Sequence, residues 1–287
     1  MKKFILALSS LISLGWNVLG QENADSSNWK FGGMGSFTFS QVSLVNWAAG
    51  GESSMSGNLF VNLNSGYKKG KSTWDNNLDL GYGLVKQSDQ KTRKSDDRID
   101  FSSKYGRIAT GKLYYSVLLN FKSQFAAGYL YPKDSVISNF MAPGYILLSL
   151  GMDYKPNDRF SLYFSPLTEK MTIVNDKILA DSYGVEAGKT VRSELGGFLK
   201  IMYKKDIMKN VNLLTKLDLF SNYGEDPQNI DAGWEVIITM KINKYLTANF
   251  NTHLIYDDDI QIDDGEGNLA PRVQFKEVFG VGLSYKL

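Results

Sequence analysis

Phe279-Gly-Val-Gly-Leu-Ser-Tyr-Lys-Leu287 is the stretch that decides the fold. Its odd-numbered positions are Phe, Val, Leu, Tyr and Leu, whereas its even-numbered positions are Gly, Gly, Ser and Lys. A period of two with opposite chemistries on the two faces predicts a β-strand. An apolar face beside small or polar positions suits a strand that has lipid on one side and an aqueous lumen on the other. We therefore predict that this stretch is the closing strand of a membrane-spanning β-barrel.

Eleven earlier segments alternate in the same way, and the connections between segments alternate in length. Tight turns such as Lys68–Lys71 and Asn243–Lys244 exchange with long loops such as Leu167–Thr190 and Asp257–Pro271. This alternation places the short turns at one end and the long loops at the other, as in outer-membrane barrels. A soluble sandwich has no reason to sort its connections by end. The predicted strands run approximately over 31–42, 54–67, 73–85, 98–109, 113–125, 145–154, 159–166, 192–203, 211–223, 233–242, 245–256 and 279–287.

The predicted fold is all-β: a single antiparallel transmembrane β-barrel of about 12 strands, with short periplasmic turns and long extracellular loops. The closing strand should pair with the first, near Phe31–Val42. Aromatic residues at lipid-facing positions cluster at strand ends, which predicts two girdles at the membrane interfaces. The periplasmic girdle is predicted to contain Tyr67, Trp74, Tyr154, Phe160, Tyr203 and Tyr285. The extracellular girdle is predicted to contain Tyr82, Phe125, Tyr223, Trp234 and Tyr256.

The first twenty residues have the layout of a signal peptide. Met1–Lys3 is a charged start, a short apolar stretch follows, and the small residues Val18 and Gly20 suit a cleavage site. We predict that residues 1–20 are cleaved and that residues 21–287 form the barrel in the cell outer membrane. Removing two lysines from 32 basic residues leaves 30 against 30 acidic ones, a balance that does not suggest nucleic-acid binding. The absence of cysteine excludes a lipoprotein anchor, disulfides and thiolate metal sites.

Five stretches resemble a family of outer-membrane barrels from Bacteroidetes-type bacteria known as domain of unknown function 3078 (DUF3078). They are Gln41–Glu52, Trp74–Asn76, Ser165–Lys170, Leu217–Tyr223 and Ile255–Asp259. The string Asn-Trp-Ala-Ala-Gly-Gly within the first is the most specific of them. The resemblance extends over nearly all of the chain after residue 20. It implies an outer-membrane barrel, and it supplies no activity, ligand or catalytic residue.

Residues of opposite parity to the apolar positions are predicted to line the lumen. They combine amide groups with both signs of charge, which can pair across a barrel of this width. Such pairing would either plug the lumen or leave a narrow polar channel with little charge preference. The inward aromatics Phe60, Tyr114, Tyr163 and Phe220 give only a weak indication of a sugar path. The predicted lumen-lining residues are Asn58, Asn62, Asp79, Asn120, Lys122, Gln124, Glu194, Lys216, Asp218, Glu235, Lys241 and His253.

A histidine and a tryptophan-containing loop carry further candidate chemistry. His253 is the only histidine, and a lipid hydrolase would need a Ser–His pair at the lipid boundary. Its parity points into the lumen instead, which favours a hydrogen-bonded lumenal histidine. Trp47, Gly50 and Gly51 lie in a Gly/Ala-rich loop that is predicted to narrow the mouth of the barrel rather than to bind a ligand.

The acidic loop before the closing strand is a weak candidate for a Ca²⁺ or Mg²⁺ site. Its spacing matches no regular calcium loop, so a solvated loop is the favoured interpretation, with divalent ions shared with lipopolysaccharide as an intermediate case. No cofactor or catalytic residue is predicted. The weak candidate ligands are Asp257, Asp259, Asp263 and Asp264.

The favoured functional prediction is a passive or weakly selective channel for small polar solutes. The alternative is a plugged barrel whose extracellular loops bind a protein partner or lipopolysaccharide. A lipid hydrolase is the minority alternative. The expected partners are outer-membrane lipid and lipopolysaccharide, the barrel-insertion machinery acting on the closing strand, and a small polar solute.

Overall fold

The computed structural model describes residues 27–44, 52–88, 90–131, 134–186, 188–263 and 268–286, and twelve of its strands close into one antiparallel barrel. No helix among these residues is long and apolar enough to cross a membrane. Two short hairpins, β6 with β7 and β14 with β15, lie outside the barrel. In chain order the strands are β1 (Trp29–Val42), β2 (Ser54–Lys69), β3 (Ser72–Gln87), β4 (Arg93–Thr110), β5 (Leu113–Ser123), β6 (Gly128–Leu130), β7 (Ser135–Ser138), β8 (Gly144–Asn157), β9 (Phe160–Ile173), β10 (Val191–Met208), β11 (Val211–Asn222), β12 (Ile230–Lys241), β13 (Leu246–Tyr256), β14 (Gln261–Asp263), β15 (Leu269–Pro271) and β16 (Gln274–Lys286).

The barrel closes where the last strand meets the first. Around the ring the order is β1-β16-β13-β12-β11-β10-β9-β8-β5-β4-β3-β2, returning to β1. β1 pairs with β16 from Met34 to Thr38 and with β2 along its whole length. The predicted twelve-strand antiparallel barrel is therefore confirmed. In this ring β9 lies six strands from β1 in either direction, so the two strands face each other across the lumen.

The outward faces of the barrel strands carry large apolar side chains that remain substantially exposed on the protein surface. Period-two alternation puts these side chains on one face of each strand and the polar ones on the other. A continuous apolar outer surface is stable when lipid surrounds it. Members of this surface include Leu59, Leu63, Val117, Leu119, Leu148, Leu150, Leu195, Phe279, Val281 and Leu283, each at least 39% exposed.

Several strands are longer than predicted: β4 begins at Arg93 instead of Arg98, β10 ends at Met208 instead of Tyr203, β16 begins at Gln274 instead of Phe279, and β9 extends furthest past its predicted end. The sequence suggested that the seventh segment ends at Pro166 and that a loop begins at Leu167, and this is wrong, because β9 continues to Ile173. The strand contains a bulge at the proline, where its register shifts against both neighbours. A bulge removes the need for a ladder N–H at that position, which proline lacks. The Ser165 hydroxyl donates to the Leu150 carbonyl at 2.7 Å and supports the bulge.

Two extracellular loops pack together above β8 and β9. A cluster of buried apolar side chains joins the β5–β8 and β9–β10 connections. Burial raises the pKa of Tyr183 to about 12, so its hydroxyl stays protonated and donates to the Ile137 carbonyl at 2.8 Å. These two connections therefore form one ordered surface. The cluster consists of Ala142, Val174, Leu179, Ala180 and Val185.

Several sequence-based predictions concern other parts of the chain. The predicted signal peptide, residues 1–20, lies outside the described residues. The predicted constriction at Trp47, Gly50 and Gly51 lies outside them as well, as do Asp264 and the side chain of Asp263. These features stay predictions.

Candidate functional site

The lumen contains a layer of charged side chains near mid-height. Their positions alternate with the lipid-facing residues of β3, β4, β5, β10, β11 and β12, so the strand period directs them inward. Four are acidic and four are basic, which leaves the layer formally neutral. Its members, which we call the central layer, are Asp79, Arg98, Asp100, Lys122, Lys200, Lys216, Asp218 and Glu235.

Two ion pairs of the central layer cross the whole lumen. Arg98 on β4 contacts Glu235 on β12, and Lys216 on β11 contacts Asp79 on β3 at 3.1 Å. Each pair joins strands that lie six positions apart in the twelve-strand ring. The side chains of Asp79 and Glu235 are only 4% and 6% exposed. The lumen is therefore bridged at this height.

Contacts between strands that lie closer together in the ring complete the central layer. Lys200 contacts Asp218 at 2.8 Å, and Lys122 approaches the same carboxylate at 3.4 Å. The Asn120 amide donates to Asp100 at 2.8 Å. Each charge thus faces an opposite charge, which charges withdrawn from water require.

Beside the central layer, the β9 side of the lumen is filled by an apolar cluster. It comprises Leu118, Tyr163, Phe198 and Phe220. Tyr163 is fully buried, its ring centroid lies 6.3 Å from that of Phe198, and its hydroxyl shares a 2.8 Å hydrogen bond with Ser149. The inward aromatics Tyr163 and Phe220 are therefore packing groups here, which does not support their assignment to a sugar path.

Removing the aromatic ring at Phe198 should destabilise the barrel. The Phe198→Ala variant is expected to lose about 3–5 kcal/mol of folding free energy, because a buried ring leaves a cavity inside a packed cluster. Urea unfolding in lipid vesicles measures the change. Phe140→Ala is the matched control, since Phe140 lies in an extracellular connection and is 54% exposed. A loss at Phe198 no larger than that at Phe140 would contradict a packed lumenal cluster.

A second charged cluster lies at the extracellular end. Lys170 contacts Asp231 at 2.6 Å and Asp257 at 3.4 Å. Arg192 contacts Glu194 at 2.9 Å and Asp259 at 2.7 Å. Carboxylate oxygens of Glu194, Asp231 and Asp259 come within 4.8 Å of one another, which is close enough for shared cation ligands. Each of them already contacts Lys170 or Arg192, so the arrangement is an ion-pair cluster that ties the outer connections to the wall.

The structure brings some of the predicted lumen residues together and places others apart. Asn62 donates to Asp79 at 2.6 Å, beside the central layer. His253 faces the lumen next to Glu235 in the register of β12 and β13. Gln124 lies just beyond β5 and donates to the Pro143 carbonyl at 3.1 Å. Lys241 is exposed at the periplasmic end of β12.

Asn58 lies higher on the wall of β2, where its side-chain oxygen accepts a 3.2 Å hydrogen bond from Ser95. Arg98 was missed by the sequence reasoning, although it has the same parity as Asp100 on the same strand. That parity is the signal that could have identified it.

Outward aromatic side chains lie at both ends of the strands. Near the short turns, Trp74 donates from Nε1 to Ser103 at 2.8 Å, and near the long loops Trp234 donates to Thr215 at 2.9 Å. Such bonds keep the indole N–H satisfied while the ring faces lipid. Residues that the sequence reasoning did not place at the periplasmic end are Phe31, Tyr105, Tyr115 and Tyr245, all strongly exposed.

Comparison with solved structures finds several outer-membrane barrels at low sequence identity. The COG4313 outer membrane channel from Pseudomonas putida F1 is 10% identical, with 93% of this chain and 97% of that chain covered and a TM-score of 0.39. The translocator domain of the autotransporter NalP from Neisseria meningitidis is 10% identical, with 99% and 97% covered and a TM-score of 0.34. The toluene transporter TodX from P. putida is 12% identical, with 92% and 80% covered and a TM-score of 0.34. Identities and TM-scores this low do not indicate a function for this chain.

Sequence comparison adds one match. None of the curated proteins matches the chain. The family model described as "Protein of unknown function (DUF3078)" matches residues 39–129, which span β2 to β5 and two of the stretches that carry the resemblance. The predicted resemblance is thus confirmed over residues 39–129, which contain four of the twelve barrel strands and match DUF3078.

Proposed function

We propose that this protein is an outer-membrane barrel that acts as a low-conductance channel for small polar solutes, with the central layer as its constriction. The observation that carries this proposal is the pair of contacts, Arg98–Glu235 and Lys216–Asp79, that span the full width of the lumen. They limit the free cross-section at one height.

Ionic bridges suit a constriction better than a permanent seal. Replacing a buried ion pair by packed apolar residues is often neutral or stabilising, so a barrel that needs only a plug gains nothing from charges. Arginine and lysine carry their charges on long stems, which can swing between alternative carboxylates. Arg98 approaches Asp79, Asp100 and Glu235, so alternative partners lie within reach.

Planar-bilayer recording of the purified, refolded protein tests the proposal. We expect small, discrete current steps that scale with the number of inserted barrels. Protein unfolded by heat and added in the same detergent is the control. Folded protein that inserts into the bilayer and passes neither ions nor small neutral solutes would overturn the channel function.

A plugged barrel with binding loops is the second candidate function, and one observation favours it. The apolar cluster around Val174 and the ion pairs of Lys170 and Arg192 hold the outer connections in a fixed arrangement. A fixed loop surface can bind lipopolysaccharide or a protein at low entropic cost. Lipopolysaccharide binding without solute flux would favour this candidate.

The lipid hydrolase receives less support. His253 belongs to the inner wall next to Glu235, whereas lipid substrates reach the outer wall.

A further inference from the structure

The two opposite walls of the lumen differ in how tightly they are packed. β9 and β1 face each other across the ring. None of the described interior-facing residues of β2 and β16, the neighbours of β1, is buried. On β1 itself, Ser36 is buried, Thr38 and Met34 are half-buried and Ser40 is exposed. The interior-facing residues of β9 are all buried, namely Ser161, Tyr163, Ser165, Thr168, Lys170 and Thr172.

Side-chain size accounts for this difference. The β9 side carries the rings of Tyr163, Phe198 and Phe220, together with Lys104, whose ammonium contacts Asp153 at 2.5 Å. Seven of the fourteen even-numbered positions of β1 and β16 are glycine, serine or threonine. At Gly280 and Gly282, atoms of Thr38 and Phe37 already occupy the space of the missing side chain, so the unfilled volume borders the exposed Ser40 and Asn64 instead. The free volume of the lumen therefore lies off-centre, against β16, β1 and β2, which we call the open wall.

The open wall is also uncharged over most of its height. Among the described residues, Lys276 lies towards its extracellular end, paired with Asp96 at 2.7 Å. Lys30, Lys68 and Lys286, the last opposite Met34 in the strand register, lie towards its periplasmic end. Between them the interior-facing side chains are hydroxyl, amide or apolar groups. They include Gly32, Met34, Ser36, Thr38, Ser40, Ser56, Asn58, Phe60, Asn62, Asn64, Val278, Gly280, Gly282 and Ser284.

Hydrogen-bonding groups of the open wall form a connected row. Asn64 donates to Asn62 at 3.1 Å, and Asn62 donates to Asn77 at 2.9 Å. Asn77 lies on β3, beside the open wall, and Asn62 also donates to Asp79 at 2.6 Å, so both N–H groups of Asn62 are used. Asn64 is exposed, and it is the amide of this row that a solute can reach. A solute with hydroxyl or amide groups can exchange its hydrogen bonds with water for bonds to this row.

We propose that the passage runs along the open wall and admits small neutral, hydrogen-bonding solutes in preference to ions. This inference rests on the proposed channel function and specifies its path and solute class. An ion on this path loses part of its hydration beside a wall without charges, and the charges of the central layer already face partners. A neutral polyol does not incur that cost.

Single thiols can locate the path, because the chain contains no cysteine. Thr38→Cys places a thiol on the open wall, and Thr168→Cys places one on the opposite wall through the same substitution. The probe is 2-hydroxyethyl methanethiosulfonate, a small neutral reagent, applied to the folded protein in lipid vesicles. We expect Thr38→Cys to react at least about tenfold faster, since a buried thiol reacts only when the structure opens locally. Labelling is read by mass spectrometry.

A second matched pair of variants allows the comparison to be made even if one of the threonine variants does not fold. Ser56→Cys on β2 and Ser165→Cys on β9 repeat the comparison with a serine at each wall. Folding of every variant is checked by the shift in gel mobility between unheated and boiled samples. Equal labelling of the two walls would overturn the open-wall path, whether or not the protein conducts.

Solute flux tests the solute class. Vesicles that contain the wild-type protein are expected to take up arabinose or glycerol faster than potassium or chloride, and labelled Thr38→Cys is expected to lose this uptake. Ion flux as fast as neutral flux would overturn the solute class while leaving a channel. Absence of all flux would overturn the proposed channel function itself, and with it this inference, whereas the labelling result would still show which wall water reaches.

Discussion

Replacing Leu119 with arginine is expected to reduce the folding free energy in a lipid bilayer by about 2–4 kcal/mol, the cost of a cation on the lipid face near the bilayer midplane. Leu119 lies near the middle of β5, faces outward and is 39% exposed. In water this exposure would make the substitution nearly neutral. Reversible urea unfolding in phospholipid vesicles, followed by tryptophan fluorescence, measures the loss.

The same substitution in a loop provides the control for this experiment. Leu269 lies on the short strand β15, outside the barrel, and is 64% exposed. Leu269→Arg is expected to change the folding free energy little, because its side chain stays in water. Equal small losses at Leu119 and Leu269 would show that lipid does not cover the outer face of β5.

The alternation of residues predicted the barrel because the sequence of each strand, taken alone, shows which of its faces is apolar and which is polar. Parity alone placed Asp79, Lys216 and Glu235 on the inner face, and the closing strand needed no long-range information to be recognised as a strand. Pro166 misled the prediction, since a proline in a strand pattern normally marks an end. The bulge that accommodates it depends on how β8 and β10 pair with β9, which is a property of three strands together.

The sequence predicted only part of the central layer, without Arg98, and none of its contacts across the lumen. Arg98 and Glu235 are 137 residues apart in the chain, and their contact depends on ring closure and on the stagger of every strand between them. The same holds for the difference between the two walls. Tyr163 and Thr38 both have inward parity, but only their positions relative to the ring show that one is packed and the other borders free volume.

Breaking one of the two bridges that cross the lumen, Arg98–Glu235, is expected to destabilise the barrel strongly. Arg98→Met alone leaves Glu235 and Asp100 withdrawn from water with less compensating charge, and the expected loss is about 3–5 kcal/mol of folding free energy. The double variant Arg98→Met with Glu235→Leu removes one charge of each sign and is expected to recover most of that loss. Urea unfolding of the two single variants and the double variant gives the coupling between the two residues.

An exposed ion pair provides the control for this cycle. Lys91 contacts Asp134 at 2.7 Å in the extracellular connections, with side chains 80% and 45% exposed. Solvent screens such a pair, so Lys91→Met and Asp134→Leu are expected to show little coupling. Coupling at Arg98 and Glu235 no larger than at this pair would contradict a desolvated bridge across the lumen.

The conductance of the double variant shows whether the Arg98–Glu235 bridge narrows the conducting path or only packs the lumen beside it. Because the two shortened side chains no longer meet across the lumen, we expect larger single-channel steps than in the wild type. The variant keeps three acidic and three basic groups in the central layer, so a change in its selectivity between cations and anions is not expected. A stable double variant with wild-type conductance would show that the Arg98–Glu235 bridge lies beside the path, and the constriction would then have to be sought at another height of the open wall.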